Sequence, residues 1–164
     1  MKKIILAAAL MLTFAFAASA QPRAIGARLG ANFEATYQHT VHEEDFVEAT
    51  LGLFLFHEVD ATATYNFMIA QPAWTARGEW GFYAGPGAAA GVGFVPEATF
   101  ATVAVMGQVG LEYTFWFPLQ LSVDIRPYIG LHVTDHNGMS NSRAEFYDYG
   151  LFGFIPTVSA RFRF

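Results

Sequence analysis

The chain contains no cysteine, and its only lysines are Lys2 and Lys3. An exported domain built this way cannot rest on disulfides and must hold itself together through backbone pairing and packing. Beyond residue 20 there is no apolar run near the roughly 20 residues that a membrane-spanning helix needs, no helical periodicity, no second domain and no low-complexity linker. Positive charge is scarce as well. Setting aside the two lysines leaves seven arginines against fourteen acids, a net charge of −7 with histidines neutral. That balance argues against nucleic acid as a partner, because neutralising phosphates with Lys and Arg dominates such binding.

What is abundant is apolar and aromatic side chain, at 54% and 16% of the 164 residues. The first twenty residues account for part of it. Lys2 and Lys3, an uncharged run over 4–17, and Ala18-Ser19-Ala20 before Gln21 read as a cleaved secretory signal peptide, 1–20. The remainder, 21–164, is one domain. High hydrophobicity without a spanning helix is reconciled in a membrane by a closed β-barrel.

Period-two alternation supports this. In the last eight residues, Val158, Ala160, Phe162 and Phe164 separate cleanly from Thr157, Ser159, Arg161 and Arg163. This is a strand with one apolar and one polar face. About eight such strands are expected: near 24–31, 35–41, 47–56, 60–69, 80–94, 102–115, 119–134, and a last one ending at Phe164. The fifth carries Trp80, Phe82, Ala84, Pro86, Ala88, Ala90, Val92 and Phe94 on one face and mostly glycine on the other. Such a wall makes room for bulky groups across a narrow lumen or lets the sheet curve. Segments 71–78 and 117–118 read as turns, and 96–101 and 135–147 as loops, the latter the longest. The fold class expected is all-β, an eight-stranded antiparallel up-and-down transmembrane β-barrel.

Alternation does not say which face is inside, but the composition of the polar face does. A water-facing exterior carries many Lys and Glu residues. Here the polar face is Gly, Thr, Ser and Gln, punctuated by Arg28, Glu34, Glu48, Glu112, Asp124, Arg126, Arg161 and Arg163. Those charges suit a confined interior in which guanidinium forks satisfy carboxylates. The other face, with Tyr37, Tyr65, Trp80, Tyr113, Phe115, Phe162 and Phe164 near strand ends, suits lipid with an aromatic girdle at each interface. A periplasmic N-terminus then puts the connections at 96–101 and 135–147 outside and the tight 117–118 turn inside.

The stretches Gly26 to Gly30, Tyr37 to His39, Val47-Glu48, Tyr83 to Gly87, Gly110 to Phe115, Leu119 to Pro127 and Val158 to Phe164 together resemble the small eight-stranded outer-membrane β-barrels of Bacteroidetes, distantly similar to the OmpA membrane domain and the OmpX group. The resemblance implies a Gram-negative outer membrane, a porin-like fold, and a terminal aromatic, Phe162 and Phe164, that the outer-membrane assembly machinery reads. It implies place and fold rather than activity.

Within a barrel of eight strands the lumen has room for side chains and little else, so the eight charged residues are expected to form a structural salt-bridge network filling it. A proton or ion pathway is the sharper alternative. Gly85-Pro86-Gly87 lacks the following helix of a phosphate loop. His42-Glu43-Glu44-Asp45 could bind a divalent cation, but reads better as a solvated turn. His57 with Glu58, or His132 with Asp135 and Ser140, could serve a lipid-A-modifying hydrolase or acyltransferase, though no spacing demands it. The expected role is non-enzymatic, in envelope structure or surface interaction. No catalytic, metal or cofactor site is assigned, the partners are outer-membrane lipids and the assembly machinery, and the chain is expected to be a monomer. A narrow pore or carrier of small hydrophobic molecules is a further alternative.

Overall fold

The structure, a computed structural model, describes residues 23–30, 32–54, 58–95, 98–136, 139–148 and 154–164. The expected signal peptide 1–20 and the candidate His57 lie outside them. Among the described residues there are ten strands: β1 (Arg23–Leu29), β2 (Phe33–His42), β3 (Asp45–Phe54), β4 (Glu58–Ala70), β5 (Glu79–Val95), β6 (Ala98–Thr114), β7 (Leu119–Ile125), β8 (Tyr128–His136), β9 (Met139–Asp148) and β10 (Thr157–Arg163).

Eight of them close a ring, β1-β2-β3-β4-β5-β6-β7-β10 and back to β1, every pair antiparallel. β8 continues the seventh wall past an interruption at 126–127 and is paired to β6 on one side and β9 on the other. The interruption has a simple cause. Pro127 has no N–H to give to the ladder, although its carbonyl still accepts the Gly107 N–H at 3.1 Å. The parity of the strand survives the break, so Arg126 and Asp124 face the same way.

The pairings fix the shape of the barrel. From Leu29, stepping across β2, β3, β4 and β5 arrives at Ala101 in β6, whereas stepping across β10 and β7 arrives at Leu111. The ring therefore closes with a stagger of ten residues. With standard strand spacing and rise, that stagger tilts the strands by about 40° and gives a backbone radius of about 8 Å. Large side chains reaching inward from opposite walls of such a ring meet near the axis.

Burial inverts the arrangement of a water-soluble protein. Leu29, Ile69, Val103 and Val105 are more than 60% exposed, whereas Arg28 is 0%, Glu48 1% and Arg161 1% exposed. In the eight strands of the ring the exposed set is mainly apolar and the buried set mainly polar, with Phe46, Tyr83 and Met106 also turned inward.

Three expectations need correction. Of the expected loop 96–101, residues 98–101 belong to β6, which pairs with β5 from Val95↔Ala98 onward, and 96–97 lie outside the described residues. Of the expected longest loop 135–147, residues 135–136 and 139–147 belong to β8 and β9, which pair from Ile129↔Asp148 to His136↔Met139. Its polar composition suggested a loop, whereas the Asn137-Gly138 dipeptide between the strands is the strongest short hairpin signal there. Nor do the named aromatics form two girdles. Trp80, Tyr113, Phe115, Phe162 and Phe164 all lie at the end of the barrel that holds the β4–β5 and β6–β7 connections, and Tyr65 reaches Asp45 beside the β2–β3 turn there. Strand tilt explains this, since a position near a strand end in sequence has no fixed height in a sheared barrel.

Candidate functional site

The interior is organised around Arg28. From β1 its guanidinium donates to three carboxylates on three other strands: Nε to Glu34 Oε2 at 3.1 Å, Nη1 to Glu48 Oε1 at 3.0 Å and Nη2 to Asp124 Oδ1 at 2.6 Å. A flat fork with five donors is the side chain able to do this. Arg126 then takes the far side of Glu34, with Nη2 to Oε1 at 2.6 Å and a closer approach to Oε2, and it donates to Thr62 Oγ1 at 3.2 Å. Arg161 from β10 pairs with Glu48 and donates to Ser122 Oγ at 2.8 Å and Thr36 Oγ1 at 3.3 Å.

Three arginines thus meet three carboxylates in one connected layer, and the charge balances within it. Neutral groups occupy the remaining acceptor positions. Glu48 also accepts from Thr36 Oγ1 at 2.6 Å and Gln108 Nε2 at 2.8 Å. Gln108 Oε1 in turn accepts from Thr64 and Asn66, and Asp124 Oδ2 accepts from Tyr83 Oη at 3.2 Å. Buried charges are tolerated when paired and when their other lone pairs are satisfied, and the layer meets both conditions.

Six of the eight charged residues singled out in the sequence are therefore brought together: Arg28, Glu34, Glu48, Asp124, Arg126 and Arg161. Glu112 and Arg163 are not joined to it. Glu112 is buried and, among the described residues, accepts only from Gln120 Nε2 at 2.9 Å, and Arg163 is half-exposed at the turn end, with no ion pair among the described residues. The strand pattern did not single out Tyr83 or Gln108. Tyr83 sits on the glycine face of β5, fully buried, and a Cβ on Gly110 of β6 would overlap its ring. A large residue alone among glycines on an inward face is the signal that points to it.

The other candidates resolve into ordinary structure. Gly85-Pro86-Gly87 lies inside β5, paired to β6 through Gly85↔Gln108. Residues 43–44 form the β2–β3 turn, with Glu43 at φ 46°, and Asp45 Oδ1 accepts the Met68 N–H at 2.8 Å. Among the described residues no group of three or more His, Asp or Glu is placed to hold a metal ion. His132 Nδ1 lies 3.1 Å from Thr102 Oγ1 and its ring packs on Phe100. The side chains of Asp135 and Ser140 lie outside the described residues.

A second ordered region lies at the turn end. Trp74 packs on Trp80 and Phe82, Trp80 on Tyr113, Tyr113 on Phe115, and Phe115 on Trp116 and Phe117, with centroid separations of 4.6 to 5.9 Å. It is a continuous aromatic band across the two connections.

No family model and no curated protein matches the chain. Among solved structures, a major outer membrane protein from Thermus thermophilus is similar in fold, with a TM-score of 0.50 and 12% identity over 89% of this chain and 100% of that one. At that identity the likeness speaks for the shared β-barrel fold.

Proposed function

We propose that this chain is an integral outer-membrane β-barrel of a Gram-negative envelope, exported through a cleaved leader at 1–20, whose lumen is filled by its own side chains. Its role is non-enzymatic, in envelope structure or in contacts made from the envelope surface, and it works as a monomer. The observation that carries this reading is the inversion of polarity, with an apolar exterior around a charge-balanced layer of Arg28, Arg126, Arg161, Glu34, Glu48 and Asp124. A layer of this kind cross-braces the walls and blocks the axis, which suits a scaffold better than a conduit. The fold shared with the outer membrane protein from Thermus thermophilus supports the location.

Fractionation of the host tests the location, and the protein should follow outer-membrane markers. Lipid A from deletion and parent strains should have the same mass, and a mass difference restored by the wild-type gene would overturn the non-enzymatic role. Phe162 and Phe164 point outward, 54% and 60% exposed, where they serve as the assembly signal. Deleting Phe164 should reduce insertion by more than the roughly 1.5–3 kcal/mol of a buried aromatic accounts for; normal insertion of the truncated chain would contradict that role.

A further inference from the structure

Below the charged layer, the inner faces of β6 and β7 meet in a square of four polar side chains, with Glu112 opposite Ser122 and Thr114 opposite Gln120. All four are buried. Gln120 Nε2 donates to Glu112 Oε2 at 2.9 Å, yet Oε1 of the same amide is buried and has no donor among the described residues. The square thus holds a carboxyl group without an ion pair and an amide carbonyl without a donor, among the described residues.

A single proton answers both. A carboxylate only accepts, whereas a carboxylic acid has one O–H to donate and an oxygen left to accept. As the neutral acid, Glu112 keeps the bond from Gln120 Nε2 and gives its O–H to Gln120 Oε1, closing a ring of two hydrogen bonds. No bare charge is then buried in the square.

Two guanidiniums of β10 act on Glu112, and they differ in their freedom. Arg161 is committed, being paired with Glu48 and donating to Ser122 and Thr36. Arg163 lies two residues further along the same face, half-exposed and in no ion pair among the described residues. Its backbone N–H donates to the Pro118 carbonyl at 3.3 Å, and Arg161 stands opposite Gln120. Arg163 is therefore a diagonal neighbour of Gln120, at the roughly 7–8 Å that a long side chain spans. The other titratable groups acting on Glu112 are Glu48 of β3, held by Arg28 and Arg161, and the Tyr83 phenol of β5, held by Asp124. From β4, Met68 meets it over Gly81.

We propose that Glu112 and Gln120 form a proton-operated latch at the turn end of the lumen. With its proton, Glu112 is closed onto Gln120, and Arg163 stays at the mouth. When the proton passes to water at the mouth, the O–H donor is gone and the carboxylate draws the Arg163 side chain inward. The mouth of the barrel then changes shape with pH. The latch needs only the closed barrel, not the envelope role proposed above.

The test is a pH titration of the full chain folded in lipid nanodiscs, following the Glu112 side-chain carboxyl carbon and the Arg163 Nε–H by NMR. The carboxyl should pass from acid to carboxylate in one step, and the Arg163 signal should shift with the same midpoint. Glu112→Gln carries an amide that donates and accepts as the neutral acid does, so it should hold Arg163 at its acid-end position at every pH. An Arg163 signal that stays still while Glu112 titrates, or that still moves in Glu112→Gln, would overturn the latch. A Glu112 carboxyl that is ionised throughout would do the same. Both wild-type signals are read from one sample, so the outcome stands even where the variant does not fold.

Discussion

The two halves of the lumen are lined by similar residue types yet resolve their polarity in opposite ways. Each of the six charges in the Arg28 layer has a partner of opposite sign, and the layer joins β1, β2, β3, β7 and β10 through short contacts. Toward the turn end, Glu112 has an amide for a partner. Gln120 Oε1, Asn66 Oδ1 and Gln38 Nε2 are likewise buried with no hydrogen-bond partner among the described residues, as is Ser159 Oγ on the strand beside Arg28. The difference shows that the barrel is braced at one level rather than along its whole length. Removing a member of the balanced layer strands a buried charge, whereas removing an orphaned group strands nothing.

That contrast can be broken most decisively at Arg28. Arg28→Met keeps most of the volume but leaves Glu34, Glu48 and Asp124 short of a shared cation. Losing one partner from a buried ionic cluster costs about 3–5 kcal/mol, which should appear as a lowered urea midpoint for the protein in vesicles. A loss under about 1 kcal/mol, the size of an ordinary hydrogen bond, would mean that the layer is not the brace. Glu112→Gln should cost much less, within about 1 kcal/mol, because an amide can still accept from Gln120 and no arginine loses an ion pair; a loss as large as that of Arg28→Met would erase the difference between the halves. The smallest effect belongs to Ser159→Ala, which removes a hydroxyl that makes no hydrogen bond among the described residues and should leave the same midpoint unchanged or slightly raised.

Much of this arrangement was legible in the chain. The parity of β1, β3 and β7 alone places Arg28, Glu48 and Asp124 on the inward face, and the absence of lysine from that face says that the interior is confined. Which of them touch was not legible. Arg28 and Asp124 are 96 residues apart in sequence, and they meet because the ring closes with a ten-residue stagger, a property of all the pairings together. The same stagger explains why Glu112 and Arg163, inward by parity, fall below the charged layer, and why the aromatics gather at one end. Residues 139–148 were hidden for another reason. Their polar composition resembles a loop, and their strand character depends on pairing with β8, for which the Asn137-Gly138 dipeptide is a local signal that composition overshadowed.

A sealed lumen is the central claim, and single-channel recording of the purified wild-type protein in a planar bilayer addresses it most directly. With three arginines and three carboxylates closed across a ring of about 8 Å backbone radius, the inserted protein should show no large, stable conductance step. A well-defined open level of reproducible size, present in the wild-type protein, would contradict the account.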